Sequence, residues 1–201
     1  MQETYDSQRR TLLQTISVGL AASVVGLTAR ANETAADTKP KKPAGGSSAP
    51  PGKPGDFDFL TGEWKIHHRQ LKTGTKDWIE FDGEATCWSI LGGVAHVEEL
   101  RIPARDFSGM GLRLIDLEKH IWSDFWINAK SGVLAGAGLT GNFIDGEGIF
   151  ESRDTENGKT VIYRGVWDRI VAGKSHRWYQ AASRDDGKTW DMNWTMDWRR
   201  A

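Results

Sequence analysis

The chain has 201 residues, 38% apolar, 10% aromatic and 26% charged, with a formal net charge of −1 and a single cysteine. These figures describe a globular protein of about one domain plus extensions, and they exclude an intrachain disulfide and a paired-cysteine metal or redox site. Residues 1–55 hold seven Lys/Arg against four Asp/Glu, so the remainder is mildly acidic and shows no basic stripe interleaved with aromatics, which excludes a nucleic-acid partner.

In chain order the first predicted element is an address. Arg9-Arg10 precedes an apolar stretch from Leu12 to Leu27 and then Ala29-Arg30-Ala31, a small-x-small cleavage site. Arg9-Arg10-Thr11-Leu12-Leu13 resembles the twin-arginine export motif. That implies export of folded protein by the twin-arginine machinery, cleavage after Ala31, and a periplasmic or secreted bacterial product with no stable membrane insertion afterwards. Gln14, Thr15 and Ser17 interrupt the stretch, whereas a spanning helix needs ~20 largely apolar residues. Residues 32–55 contain five of the six prolines and no aromatic residue, which predicts a disordered linker.

From Asp56 onward short stretches rich in Trp, Ile, Val, Phe and Thr alternate with glycine-containing turns. That spacing predicts an all-β domain, 56–201, folded as an up-and-down antiparallel barrel of about ten strands after one helical turn in "DFDFLTGEW". In that turn Phe57 and Phe59 or Leu60 plug one end. Strands are expected near 63–72, 77–89, 93–102, 109–117, 120–129, 132–139, 142–152, 159–169, 175–184 and 188–199. Period two assigns faces. Trp64, Ile66, His68 and Gln70 go together, as do Ile79, Phe81, Ala85 and Cys87; Tyr163 goes with Trp167, and Trp178 with Gln180. In the last strand Trp190, Met192, Trp194, Met196 and Trp198 share the dry face. All ten tryptophans lie in this domain, enough to line a cavity with flat aromatic walls as well as to fill a core.

"FDFLTGEW", "HHRQLK", "WIEFDGEATCWSILGG" and the closing "WYQAASRDDGKTWDMNWTM" together resemble a lipocalin-like domain of unknown function in the calycin superfamily, over essentially all of 56–201. Gly62-Glu63-Trp64 is similar to the Gly-x-Trp of a first lipocalin strand. The resemblance implies that Arg199 or Arg200 packs over Trp64 to close the base, and that the barrel binds an apolar or amphipathic small molecule.

Chemistry-bearing residues are few. His67 and His68 are adjacent and face opposite sides of a strand, so they cannot share a metal; no metal site is expected. His96 and Glu98 share a face and form a candidate acid/base couple, and His68 is the other inward candidate for a catalytic or ligand-orienting role. Glu80, Asp82 and Glu84 line the face opposite Phe81 and read as solvated edge protection. The leading expectation is a carrier whose ligand, a small apolar or aromatic molecule, touches Trp64, His68, His96, Arg164, Trp178, Gln180 and Trp194. Acid/base isomerisation, cyclisation or hydrolysis in the same cavity is the alternative, and haem held by an inward histidine is a third reading. "SRDDGKTW", 183–190, has Asp-box spacing. A propeller repeats that motif in every sheet, and this chain carries one copy, so it reads as the last hairpin of a barrel, with Ser183 and Asp185 satisfying turn amides, Gly187 at positive φ and Trp190 entering the core.

Overall fold

The computed structural model describes residues 50–134 and 136–201; the export segment and most of the predicted linker lie outside the described residues. A 3-10 turn, Asp58–Leu60, leads into ten strands: β1 (Gly62–Leu71), β2 (Trp78–Ile90), β3 (Ala95–Ile102), β4 (Phe107–Asp116), β5 (Ile121–Asn128), β6 (Leu139–Ile144), β7 (Glu147–Glu156), β8 (Lys159–Val171), β9 (Ser175–Ser183) and β10 (Asp191–Arg200). Each pairs antiparallel with its neighbours in sequence, and β10 returns to β1 to close the barrel. The fold is the expected all-β barrel, and its closed ten-strand antiparallel architecture is consistent with a lipocalin or calycin-like domain.

Because directly opposed residues share a face, the register gives the interior strand by strand. Trp64, Ile66 and His68 of β1 are buried, and Ala85 and Cys87 of β2 lie on the same inner surface. Glu80, Asp82 and Glu84 stand outside as expected, but a closed barrel has no edge to protect. They pair instead with β1 and β3: Glu84 with Lys65 (2.8 Å) and Arg101 (3.2 Å), Asp82 with His67 (3.0 Å), and Glu80 with Arg69 (3.0 Å).

One end is plugged from within. Phe57 is buried among Trp122, Phe143 and Phe150, with ring centroids 5.0–5.4 Å away, and Leu60 is fully buried beside it. Polar bonds fix the plug: Trp64 Nε1 donates to the Leu60 carbonyl (2.6 Å), Ser89 Oγ to Asp58 (2.6 Å) and Trp122 Nε1 to Asp56 (3.2 Å). Residues 50–55, read from composition as the end of the linker, also dock here, with Gly52 N donating to the His120 carbonyl and Gly55 N to that of Gly93. Arg200, rather than Arg199, lies over the Trp64 ring at 5.2 Å and donates to the Thr61 carbonyl.

Three sequence expectations are corrected. The sixth strand runs 139–144 rather than 132–139, and the seventh 147–156 rather than 142–152, because Gly132, Gly136 and Gly138 take positive φ and break the extended run. The ladder between β5 and β6 therefore extends only from Trp122 to Asp124, so that Phe125–Asn128 pair with β4 alone among the described residues. The last strand does not keep one face. A bulge between Met192 and Trp194 shifts the register, placing Trp194, Met196 and Trp198 inside opposite Gln180, Trp178 and His176, and Met192 outside opposite Ala181. Trp190 consequently stays out of the core: it is half-buried on the outer wall, stacked 3.6 Å from the Arg164 guanidinium.

The Asp-box hairpin otherwise forms as its residues suggest. The Asp185 carboxylate accepts from the Lys188 and Thr189 amides and from the Thr189 and Ser183 hydroxyls, and these bonds, led by the Thr189 amide, hold its pKa to about 2. Ser183 Oγ accepts from Gly187 N, and Gly187 sits at φ +82°. Gly187→Val is expected to destabilise the domain by about 1–3 kcal/mol, since a β-branched residue is strained at that φ; a thermal melt unchanged from wild type would refute this.

Candidate functional site

The interior is assembled from two facing walls. On the first, opposed residues form rows across β2–β5. One row runs Ser89, His96, Arg113, Asp124, and the next runs Cys87, Glu98, Gly111, Trp126. Arg113 and Asp124, which the sequence reading did not single out, are therefore interior residues. Gly111 makes room for the Arg113 guanidinium, which lies 2.9 Å from where a Cβ would be, and Gly109 makes room for the Trp126 ring. Arg113 Nη2 donates to Glu98 at 2.7 Å, with the two side chains only 4% and 3% exposed, and Nε lies 3.3 Å from Asp124. Across the barrel the guanidinium carbon stands 5.1 Å from the Trp167 ring.

The opposite wall is aromatic. Its rows set Trp167, Trp178, Met196 and His68 in line, with Gly165, Gln180, Trp194 and Gln70 beside them. Trp178 meets Trp194 edge to face at 5.9 Å, and Trp194 Nε1 donates to His68 Nδ1 at 3.3 Å. His68 stacks on Phe81 at 4.7 Å, and Arg105 lies over the same Phe81 ring at 3.4 Å. His176, also missed in the sequence, is ringed by Trp64, Trp198, Phe59 and Trp167 at 4.5–5.5 Å.

The structure thus distributes the sequence candidates unevenly. His96 and Glu98 share the inner face, but Glu98 bonds Arg113, not His96. His68, Trp178 and Trp194 form one cluster on the far wall. Gln180 faces inward and donates to Asn193 at the bulge (3.1 Å). Trp64 belongs to the plugged base. Arg164 stands on the outer wall, where it holds Glu151 and stacks on Trp190, so it leaves the interior set.

Many interior polar atoms lack partners. Both ring nitrogens of His96 and of His176, His68 Nε2, Arg113 Nε and Nη1, and the Trp167 and Trp198 indole nitrogens are buried without a hydrogen bond. A native interior leaves few such groups unless water or a ligand satisfies them. Burial drives all three imidazoles to a pKa of about 3, helped by Arg105 beside His68 and by Arg113 near His96 and His176. They are neutral at physiological pH and poor general bases there. Asp124 moves the other way: burial raises it to about 6 against the pull of Arg113, and Glu98 adds to the rise. Burial and Glu98 push the Cys87 thiol well up, so it is inert.

Asp124 keeps 17% of its side chain exposed although it faces inward, and Leu139 and Trp178 are likewise half-buried. Solvent therefore reaches this part of the interior, beside the point where the β5–β6 ladder ends. Among the described residues no group of three or more His, Cys, Asp or Glu is placed to hold a metal ion. A haem does not fit the imidazoles: His68 is stacked against Phe81 with Nε2 over Gly83, His176 is ringed by aromatics, and His96 lies by the Phe57 ring beside Arg113. No family model matches the chain, and no curated protein matches it.

Proposed function

We propose that this protein is an exported, lipocalin-like carrier whose barrel holds a small amphipathic molecule with an aromatic or apolar body. The observation that carries the reading is the set of orphaned interior donors and acceptors, bordered by Trp126, Trp167, Trp178 and Trp194. Aromatic walls suit an apolar body, and unpaired polar groups suit the few oriented contacts that fix a ligand. Export and cleavage after Ala31 belong to the same proposal and rest on the Arg9-Arg10 motif and the apolar stretch after it.

Of the seven contacts expected from sequence, Trp178, Trp194 and Gln180 remain as wall residues, with His96 at the floor; His68 and Trp64 serve packing. Protein purified natively and subjected to native mass spectrometry should carry a small molecule or take one up from a panel of lipids, terpenoids and aromatics, with quenching of tryptophan fluorescence. An empty barrel that leaves the fluorescence of the whole panel unchanged would sink the carrier reading. Amino-terminal sequencing of exported material should begin at Asn32.

A further inference from the structure

Resting on that reading, we propose that the interior site selects a protonated amine carried on an aromatic body, with Asp124 as its counter-ion. The charge of the Arg113 cluster does not balance. Arg113 faces two carboxylates, Glu98 at 2.7 Å and Asp124 at 3.3 Å, which leaves a surplus negative charge in a low-dielectric space. Further along β7 stand Asp154 and Glu156; Glu156 accepts from the Tyr163 hydroxyl and lies 3.5 Å from Arg184. An anionic head would add a third negative charge around the one arginine. A cation would relieve the surplus.

The two carboxylates of the cluster are not equivalent. Glu98 is sealed and bonded to Arg113, whereas Asp124 keeps exposed surface and makes a looser ionic contact, so its carboxylate is the one a ligand can reach. Two tryptophans flank it on its own inner face, Trp122 and Trp126, and Trp167 and Trp178 stand on the other wall. Such an arrangement recognises a cation twice over, by a charged acceptor and by aromatic faces. The half-buried or buried Trp126, Trp178 and Trp194 then cover an aromatic body. Asp124 and Leu139 are the last rung of the β5–β6 ladder, and beyond them β5 pairs with β4 alone among the described residues.

The test uses three matched probes on the full domain by isothermal titration calorimetry at pH 7.5: 2-phenylethylamine, 2-phenylethanol and 3-phenylpropanoate. The amine should bind at least tenfold more tightly than the alcohol, and the propanoate most weakly. Asp124→Asn should lower amine affinity by tenfold or more and leave the alcohol within twofold. If that variant fails to fold, the wild-type chain answers through pH. Asp124 is faced by Arg113 from β4, Glu98 from β3 and the Trp167 indole from β8, with His96 beyond Arg113. As Asp124 takes up its proton, amine affinity should fall about tenfold from pH 7.5 to 5 while alcohol affinity holds. Equal binding of all three probes, or an amine affinity that neither Asp124→Asn nor pH alters, overturns the amine assignment and leaves the carrier reading standing. Binding of none of the three overturns the amine assignment, and the native mass spectrometry and fluorescence panel then decides the carrier reading separately.

Discussion

Arg113→Met should lower the melting temperature of the domain by roughly 10 °C, the consequence of a loss of about 3–5 kcal/mol when a buried cation is removed from its partners. The substitution keeps much of the length and the apolar stem of the side chain, so packing against Trp167 and Phe57 survives. What is lost is the charge that offsets Glu98, 3% exposed, and Asp124, 17% exposed. Burial alone would lower the arginine pKa, but the facing Asp124 and Glu98 raise it, so it stays charged throughout. Replacing all three groups at once, with Glu98→Gln and Asp124→Asn added, should recover most of the loss, because a neutral set leaves no uncompensated charge. A single Arg113→Met that melts like wild type would show that these groups are hydrated rather than buried.

Acid should destabilise the domain before the carboxylates as a class are titrated. His68, His96 and His176 are held near a pKa of 3, against an ordinary 6.5. Between those values the unfolded chain binds protons that the folded chain refuses, so the histidines contribute stability above pH 6.5 that is lost as pH falls. Asp124 opposes them: its folded pKa of about 6 lies above its ordinary 3.8, so the native state takes up one proton as pH drops through that window. The net difference of about two protons corresponds to roughly 2–3 kcal/mol per pH unit at its steepest. Over the interval from about pH 6.5 to 5 this removes about 3–4 kcal/mol of the roughly 5–15 kcal/mol that a typical domain has, so the urea midpoint should fall steeply there. A midpoint that is flat across this range would mean that the imidazoles reach solvent. His176→Phe should flatten the slope by about one proton, since its environment is already a ring of aromatics.

Much of the barrel is legible in the sequence because its strands alternate and its turns carry their own chemistry. Trp64, Ile66 and His68 against Lys65, His67 and Arg69 is a pattern that fixes a face outright. Asn157-Gly158 makes the β7–β8 hairpin at φ +51° and +76°, the conformation that dipeptide favours. Less is legible wherever tertiary context overrides local pattern. The bulge at Asn193 leaves no mark in an uninterrupted alternation from Trp190 to Trp198, so alternation alone puts Trp190 in the core, whereas the alternation of Arg164 with Tyr163 already marks it as outward. Arg113 and Asp124 escape notice because a charge in an alternating strand is assigned to the wet face by default. The signal that could have found them is their company: Arg113 shares its face with Phe107, Gly109, Gly111 and Ile115, and Asp124 sits between Trp122 and Trp126. Two glycines beside bulky neighbours signal space made for a side chain coming from elsewhere, but which side chain only the register tells.

The short β5–β6 ladder makes the barrel mechanically unequal around its circumference. Among the described residues, backbone amides from Phe125 to Asn128 have no strand on that side to hold them, whereas β7 and β8 are laced together along nearly their full lengths. Opening of the closed sheet should start there, as a hoop parts at its weakest stave, with the other seams intact. Hydrogen–deuterium exchange would register this as early labelling of 125–128 and 139–141 against lasting protection of β8 and β9. A molecule held beside Asp124 would then act as a clasp across the parting, slowing exchange there.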